Sequence, residues 1–87
     1  MLESKIQAKL IKSLEKDGYY VIKLGVTNKP GIPDLIAIPK NADVLFVEVK
    51  QQGKKPRALQ NYRAKEIKEH GLKVKLYDGE WKEMGSM

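Results

Sequence analysis

The chain has 87 residues, 41% hydrophobic and 32% charged, with a formal net charge of +6 at pH 7. That length supports one modest core, no apolar run approaches the roughly 20 residues that span a bilayer, and the start Met1-Leu2-Glu3-Ser4-Lys5 has no apolar leader, so a single domain in the cytoplasm is expected. The sequence contains no cysteine and one histidine, His70, which excludes disulfides, thiolate zinc sites and histidine-rich clusters and leaves carboxylates as the metal-ligand chemistry, while the positive balance suits a polyanionic partner.

Taken in order, Leu2, Ile6, Leu10 and Leu14 recur every four residues with Ile11 widening the stripe, which predicts a helix over 2–16 ended by Asp17-Gly18. Glu3 and Gln7 lie one turn apart at its N-terminal end and border the buried stripe. From position alone, Glu3 reads as a favourable partner for the helix dipole. Residues 19–24, rich in β-branched and aromatic side chains, predict a first strand. The segment 25–31 has two glycines and a proline and no apolar periodicity, so it is expected to be a loop.

The next stretch carries charge where a buried sheet should have none. Asp34 opens the apolar run 35–38, and Glu48 and Lys50 close the run 44–50. Alternation in a strand puts Glu48 and Lys50 on one face with Val44 and Phe46. A hairpin turning through 39–43 brings the start of the Asp34 strand beside the end of the Glu48 strand. Two carboxylates side by side repel unless a divalent cation such as Mg²⁺ sits between them. Phosphodiester hydrolysis asks for that arrangement, with a cation such as Lys50 for the developing charge. A lone Glu-x-Lys at a strand end is ordinarily a surface salt bridge. Here it occurs together with Pro33-Asp34 and the hairpin.

Beyond a basic turn at 51–55, Pro56 suits the first position of a helix over 56–70, capped by Gly71. Gln60, Ala64 and Ile67 share a stripe of that helix, so Gln60 faces the sheet and needs a partner there. Backbone satisfaction and the orientation of a water or phosphate near Lys50 are both open to it. Residues 72–77 predict a last strand, whose Lys73 and Lys75 suit a sheet edge. Asp78-Gly79 turns the chain. Trp81 is expected to pack on the core or on a second subunit, and 84–87 to be a frayed tail. The order helix-strand-strand-strand-helix-strand predicts an α/β fold with a mixed sheet and a helix on each face. Lys54, Lys55, Arg57, Arg63 and Lys68 are the expected phosphate contacts.

These residues resemble the VRR-Nuc family of virus-type replication-repair nucleases, within the PD-(D/E)xK superfamily. The resemblance runs through Glu3 and Gln7, Gly31-x-Pro33-Asp34-Leu35, Phe46-Val47-Glu48-Val49-Lys50, Gly53 and Gln60. It implies the compact restriction-endonuclease-like core of that superfamily. It also implies that Asp34 and Glu48 bind Mg²⁺ or Mn²⁺ with the carbonyl of Val49, that Glu3 joins the metal site, and that Lys50 and Gln60 act in catalysis. Stand-alone phage-type members look like homodimers that cut four-way DNA junctions, and that activity is the expectation here. The competing readings are a nucleic-acid-binding module of the same fold that does not cleave alone, and a less selective flap or duplex nickase. Tyr77, Trp81 and Met84 are the candidate apolar surface for a two-fold interface.

Overall fold

The structure, a computed structural model, describes residues 1–85. Helix α1 spans Glu3–Lys16, followed by strands β1, Tyr20–Lys23, β2, Leu35–Ile38, and β3, Leu45–Val49. Helix α2, Ala58–Glu69, then leads to β4, Lys73–Tyr77, and β5, Trp81–Glu83. The five strands lie in the order β1-β2-β3-β4-β5, parallel only between β3 and β4 and antiparallel elsewhere. The parallel pair is the one joined through α2, because a parallel neighbour needs a long crossover whereas the other links are hairpins or short loops. This is the α/β architecture expected from the sequence, with one additional strand.

Strand alternation divides the core between the two faces of the sheet. On one face Leu35, Ala37, Val47 and Val49 pack with Ile6, Leu10 and Leu14 of α1. On the other, Val74 and Leu76 meet Ala64 of α2, with Phe46 and Ile67 at the margin. Glu48, between Val47 and Val49, therefore projects towards α2, where an apolar side chain would otherwise stand.

The added strand changes two expectations. Tyr77 pairs with Trp81 and Lys75 with Glu83, so β4 is interior and its lysines do not line a sheet edge; β5 is the edge. Met84 is 3% exposed and belongs to the core beside Ala64, so the looseness expected from residue 84 does not hold there, nor is Met84 available as apolar surface. Gly85 explains how the chain comes so close: a Cβ built on it would lie 2.8 Å from Ala64 Cβ, and its φ is +71°. The expected fraying of 86 and 87 lies outside the described residues.

Helix α2 begins two residues later than the proline signal predicts. Arg57 is extended, with φ −73° and ψ 161°, and its backbone N–H donates to Gln60 Oε1 at 2.8 Å. The helix start is thus fixed by a side chain that also reaches into the site. Among the described residues no helix is long and apolar enough to cross a membrane.

Candidate active site

The β2–β3 pairing sets the geometry. Leu35 pairs with Val47 and Ala37 with Leu45, and continuing that register puts Pro33 opposite Val49. The Val49 N–H points towards β2, where it donates to Asp34 Oδ2 at 2.8 Å. The Val49 carbonyl lies on the same strand edge, since a strand residue presents both groups to one side. Pro33 has no N–H to offer it. The ladder is thus interrupted at this end by the Pro33-Asp34 pair, which holds a carboxylate against the strand and supplies no donor for an acceptor oxygen beside it.

Gly31 allows this corner to pack. Its φ is +82°, and an added Cβ would sit 2.7 Å from Leu59 Cγ on α2. Only glycine takes that conformation without strain and leaves room for Leu59.

Glu48 is 2% exposed. Its Oε2 accepts from Gln60 Nε2 at 2.9 Å and lies 3.9 Å from Lys50 Nζ. Its Oε1 is buried with no hydrogen-bond partner among the described residues. A buried, unpartnered carboxylate oxygen is costly and calls for an explanation. Burial pushes the Glu48 carboxyl up to about 8, with Asp34 adding to the rise and Lys50 opposing it. Burial also raises Asp34 above the ordinary carboxylate value, opposed by the Val49 N–H and reinforced by Glu3. Both groups therefore resist carrying charge together, and a cation between them would remove that conflict.

The residues present fit a divalent metal. Two hard carboxylate oxygens, one of them buried without a donor, and a backbone carbonyl opposite a proline are the donor set that Mg²⁺ or Mn²⁺ prefers. Glu3 is exposed on the first turn of α1 but acts electrostatically on both carboxyls. No group of three acidic or imidazole side chains comes together as a ready metal-binding cluster among the described residues, so Glu3 stands at the rim.

Gln60 finds the backbone partner that the sequence left open to it, and a carboxylate partner besides. Its carbonyl is held by the Arg57 N–H and its amide nitrogen donates to Glu48. With both ends committed, it orients Glu48 and caps α2 at once.

The basic residues divide into two groups. Lys54, Lys55 and Arg57 are exposed on the segment that leaves β3 beside Lys50. Arg63 instead donates to the Pro30 carbonyl at 2.9 Å and pairs with Glu66 at 2.9 Å. Lys68 donates to the Met84 carbonyl and lies 3.8 Å from Glu83. These last two tie loop to helix and helix to tail, an engagement that charge patterning does not reveal.

The chain gives no match to protein-family models and none to curated proteins. Among solved structures it is similar to one described as a VRR_NUC domain, at 29% identity and a TM-score of 0.77, over 85% of this chain and 81% of that one. That likeness covers most of a chain whose Pro33-Asp34, Glu48-Val49-Lys50 and Gln60 are assembled at one sheet end. In fold, and in the residues gathered at this sheet end, the chain is similar to a VRR_NUC domain, a nuclease-type domain.

Proposed function

We propose that this nuclease-type domain is a metal-dependent, structure-selective DNA endonuclease that acts in the cytoplasm as a homodimer and cuts four-way junctions. The observation that carries the reading is the pairing of Asp34 with Glu48, whose buried Oε1 has no partner among the described residues, 3.9 Å from the Lys50 ammonium on the other carboxylate oxygen.

Asp34, Glu48 and the Val49 carbonyl would hold Mg²⁺ or Mn²⁺, with Glu3 adding negative charge at the rim. When bound, such an ion polarises a phosphoryl oxygen and acidifies a water. The chain's own groups supply the rest. Lys50 is two residues beyond Glu48 and its side chain is only 12% exposed, so its ammonium faces developing negative charge with little water to screen it. Gln60 fixes the rotamer of Glu48, which keeps the unpartnered oxygen turned to the site. Lys54, Lys55 and Arg57 bind backbone phosphates, positioning the substrate without reading bases.

A four-way junction has two equivalent strands to cut, and one chain offers one carboxylate pair, so a two-fold dimer supplies the second. Open strand edges at β1 and β5, with Tyr20 70%, Ile22 40% and Trp81 46% exposed, are apolar surface that a second copy would cover.

The test is a cleavage assay with Mg²⁺ on a four-way junction and a linear duplex of the same sequence, alongside light scattering. The proposal expects paired nicks in opposing strands, a preference for the junction and twice the mass of one chain. A monomer that cuts both substrates equally would remove the junction and dimer parts and leave the nuclease chemistry standing. Absence of cleavage on every nucleic acid tried would remove the whole.

A further inference from the structure

Glu48, Gln60 and Asp78 are the buried polar or charged residues among those described, and the chemistry proposed for the carboxylate pair leaves Asp78 unused. It lies at the turn between β4 and β5, with its side chain 1% exposed. Its Oδ1 accepts from the Glu80 N–H at 3.1 Å, which closes the hairpin turn. Its Oδ2 accepts from the Lys82 ammonium at 2.7 Å and from the Gly53 N–H at 3.2 Å. The first two bonds are local. The third crosses to the segment leaving β3, three residues past Lys50.

That segment has two ties to the β4–β5 hairpin. The Lys50 N–H donates to the Tyr77 carbonyl at 3.0 Å, extending the parallel ladder by one step, and the Gly53 N–H donates to Asp78. Between them a turn is closed by Lys54 N–H to the Gln51 carbonyl at 3.0 Å. Lys50 is therefore anchored without help from Asp78, whereas the path of the chain into Lys54 and Lys55 depends on it. A glycine at position 53, with φ +80°, supplies the bend.

We infer that Asp78 is a positioning residue for substrate binding: through the Gly53 N–H it fixes the turn that presents Lys54 and Lys55 to the DNA backbone. The assignment rests on the nuclease reading for what those lysines hold, and on the two separate anchors for a specific kinetic signature. Loss of the Asp78 tie loosens the phosphate contacts and leaves Lys50 and the carboxylate pair in place. DNA affinity falls while the rate at saturation is kept.

The variant that removes the tie is Asp78→Asn, and Lys82→Met separates it from the ion pair made by the same oxygen. Its amide oxygen still accepts from Glu80, but an NH₂ replaces the oxygen that faces both Gly53 and Lys82. DNA affinity is read by fluorescence anisotropy in Ca²⁺, cleavage in single turnover with Mg²⁺, and the turn itself by amide hydrogen exchange. The expected result is a dissociation constant raised about tenfold, equivalent to one lost phosphate contact, with the saturated rate within about twofold. Gly53 N–H exchange should speed up while the Val49 N–H, bonded to Asp34, keeps its protection.

Lys82→Met keeps both N–H bonds of Asp78 and should leave affinity near that of the parent. Equal loss in Lys82→Met would assign the effect to the ion pair and overturn the inference. So would unchanged DNA affinity in Asp78→Asn with Gly53 loosened, or a fall in the saturated rate alone. If the parent protein binds DNA but cleaves nothing, the nuclease reading fails, and affinity with Gly53 exchange still decides the role of Asp78. Should Asp78→Asn lose Val49 protection as well, its effect is global and the positioning role is rejected.

Discussion

Replacing Glu48 by Gln should stabilise the metal-free protein at alkaline pH while removing its response to metal. The Glu48 carboxyl is pushed up to about 8 from an ordinary 4.5, chiefly by burial. As pH rises through 4.5 the unfolded chain gives up this proton, while the folded chain keeps it until about 8. Over that window the folded state binds more protons, so stability falls as pH rises and the loss levels off above 8. At about 1.4 kcal/mol per pH unit, the interval sets a ceiling of roughly 5 kcal/mol. Against a total of about 5–15 kcal/mol for a domain of ordinary stability, that is a large share. Asp34, also raised by burial, pushes in the same direction.

Urea denaturation in excess chelator at pH 5, 7 and 9 measures the effect. The two proteins should have similar midpoints at pH 5, and the parent should fall progressively below Glu48→Gln by pH 9. Gln is nearly isosteric, carries no charge and can still accept from Gln60 through its amide oxygen, so the gap reports the cost of the buried anion. Added Mg²⁺ should raise the parent's midpoint at pH 7–9 and leave Glu48→Gln close to its metal-free value. Parallel pH curves for the two proteins would refute the argument that Glu48 holds an unsatisfied charge.

Glu48→Gln, Asp34→Asn and Lys50→Ala should each lower single-turnover cleavage by about 10²-fold or more with DNA affinity largely kept, because they remove charge stabilisation and not phosphate contacts; full activity in any of them would remove that residue from the site. Gly31→Ala should lower unfolding free energy by about 1–3 kcal/mol, combining a strained left-handed backbone with displacement of Leu59, and a denaturation midpoint equal to the parent's would show that the corner is softer than its 2.7 Å approach implies. The salt dependence of DNA binding should flatten in a Lys54→Ala, Lys55→Ala double variant by roughly two phosphate equivalents, and an unchanged slope would clear those lysines of contact.

Much of the site is legible in sequence because its determinants are local. Pro33 precedes Asp34 directly, Glu48 and Lys50 are two apart on one strand face, and a hairpin between them leaves little choice of register. The helical stripe that turns Gln60 to the sheet is equally local, and Gln60 meets Glu48 as that placement requires. What position alone does not decide is the use of the amide. Its oxygen caps α2, and that bond depends on Arg57 being extended, so the helix begins two residues after Pro56. A proline marks where a helix is permitted to begin; here a buried glutamine decides where it does.

The far end of the chain shows the opposite case. Asp78-Gly79 is recognisable as a turn, since both residues favour one, but a turn leads equally well into a loose tail or a returning strand. Three residues, Trp81–Glu83, are too few for alternation to be read. They pair with β4, but what anchors the chain just beyond them is distant in sequence. Lys68 reaches the Met84 carbonyl, Asn61 Oδ1 accepts from the Gly85 N–H at 3.1 Å, and Met84 fills the core beside Ala64. The same distance hides the role of Asp78, whose partner Gly53 is 25 residues earlier. Because β5 is paired to β4, tied to α2 just beyond its end and joined at its turn to Gly53 through Asp78, the short strand at the sheet edge and the basic turn beside the carboxylate pair are linked. A perturbation that frees β5 from α2, such as Lys68→Ala, should therefore raise Gly53 exchange before it raises that of Val49, and simultaneous loss of protection at both amides would show that the sheet opens as a whole.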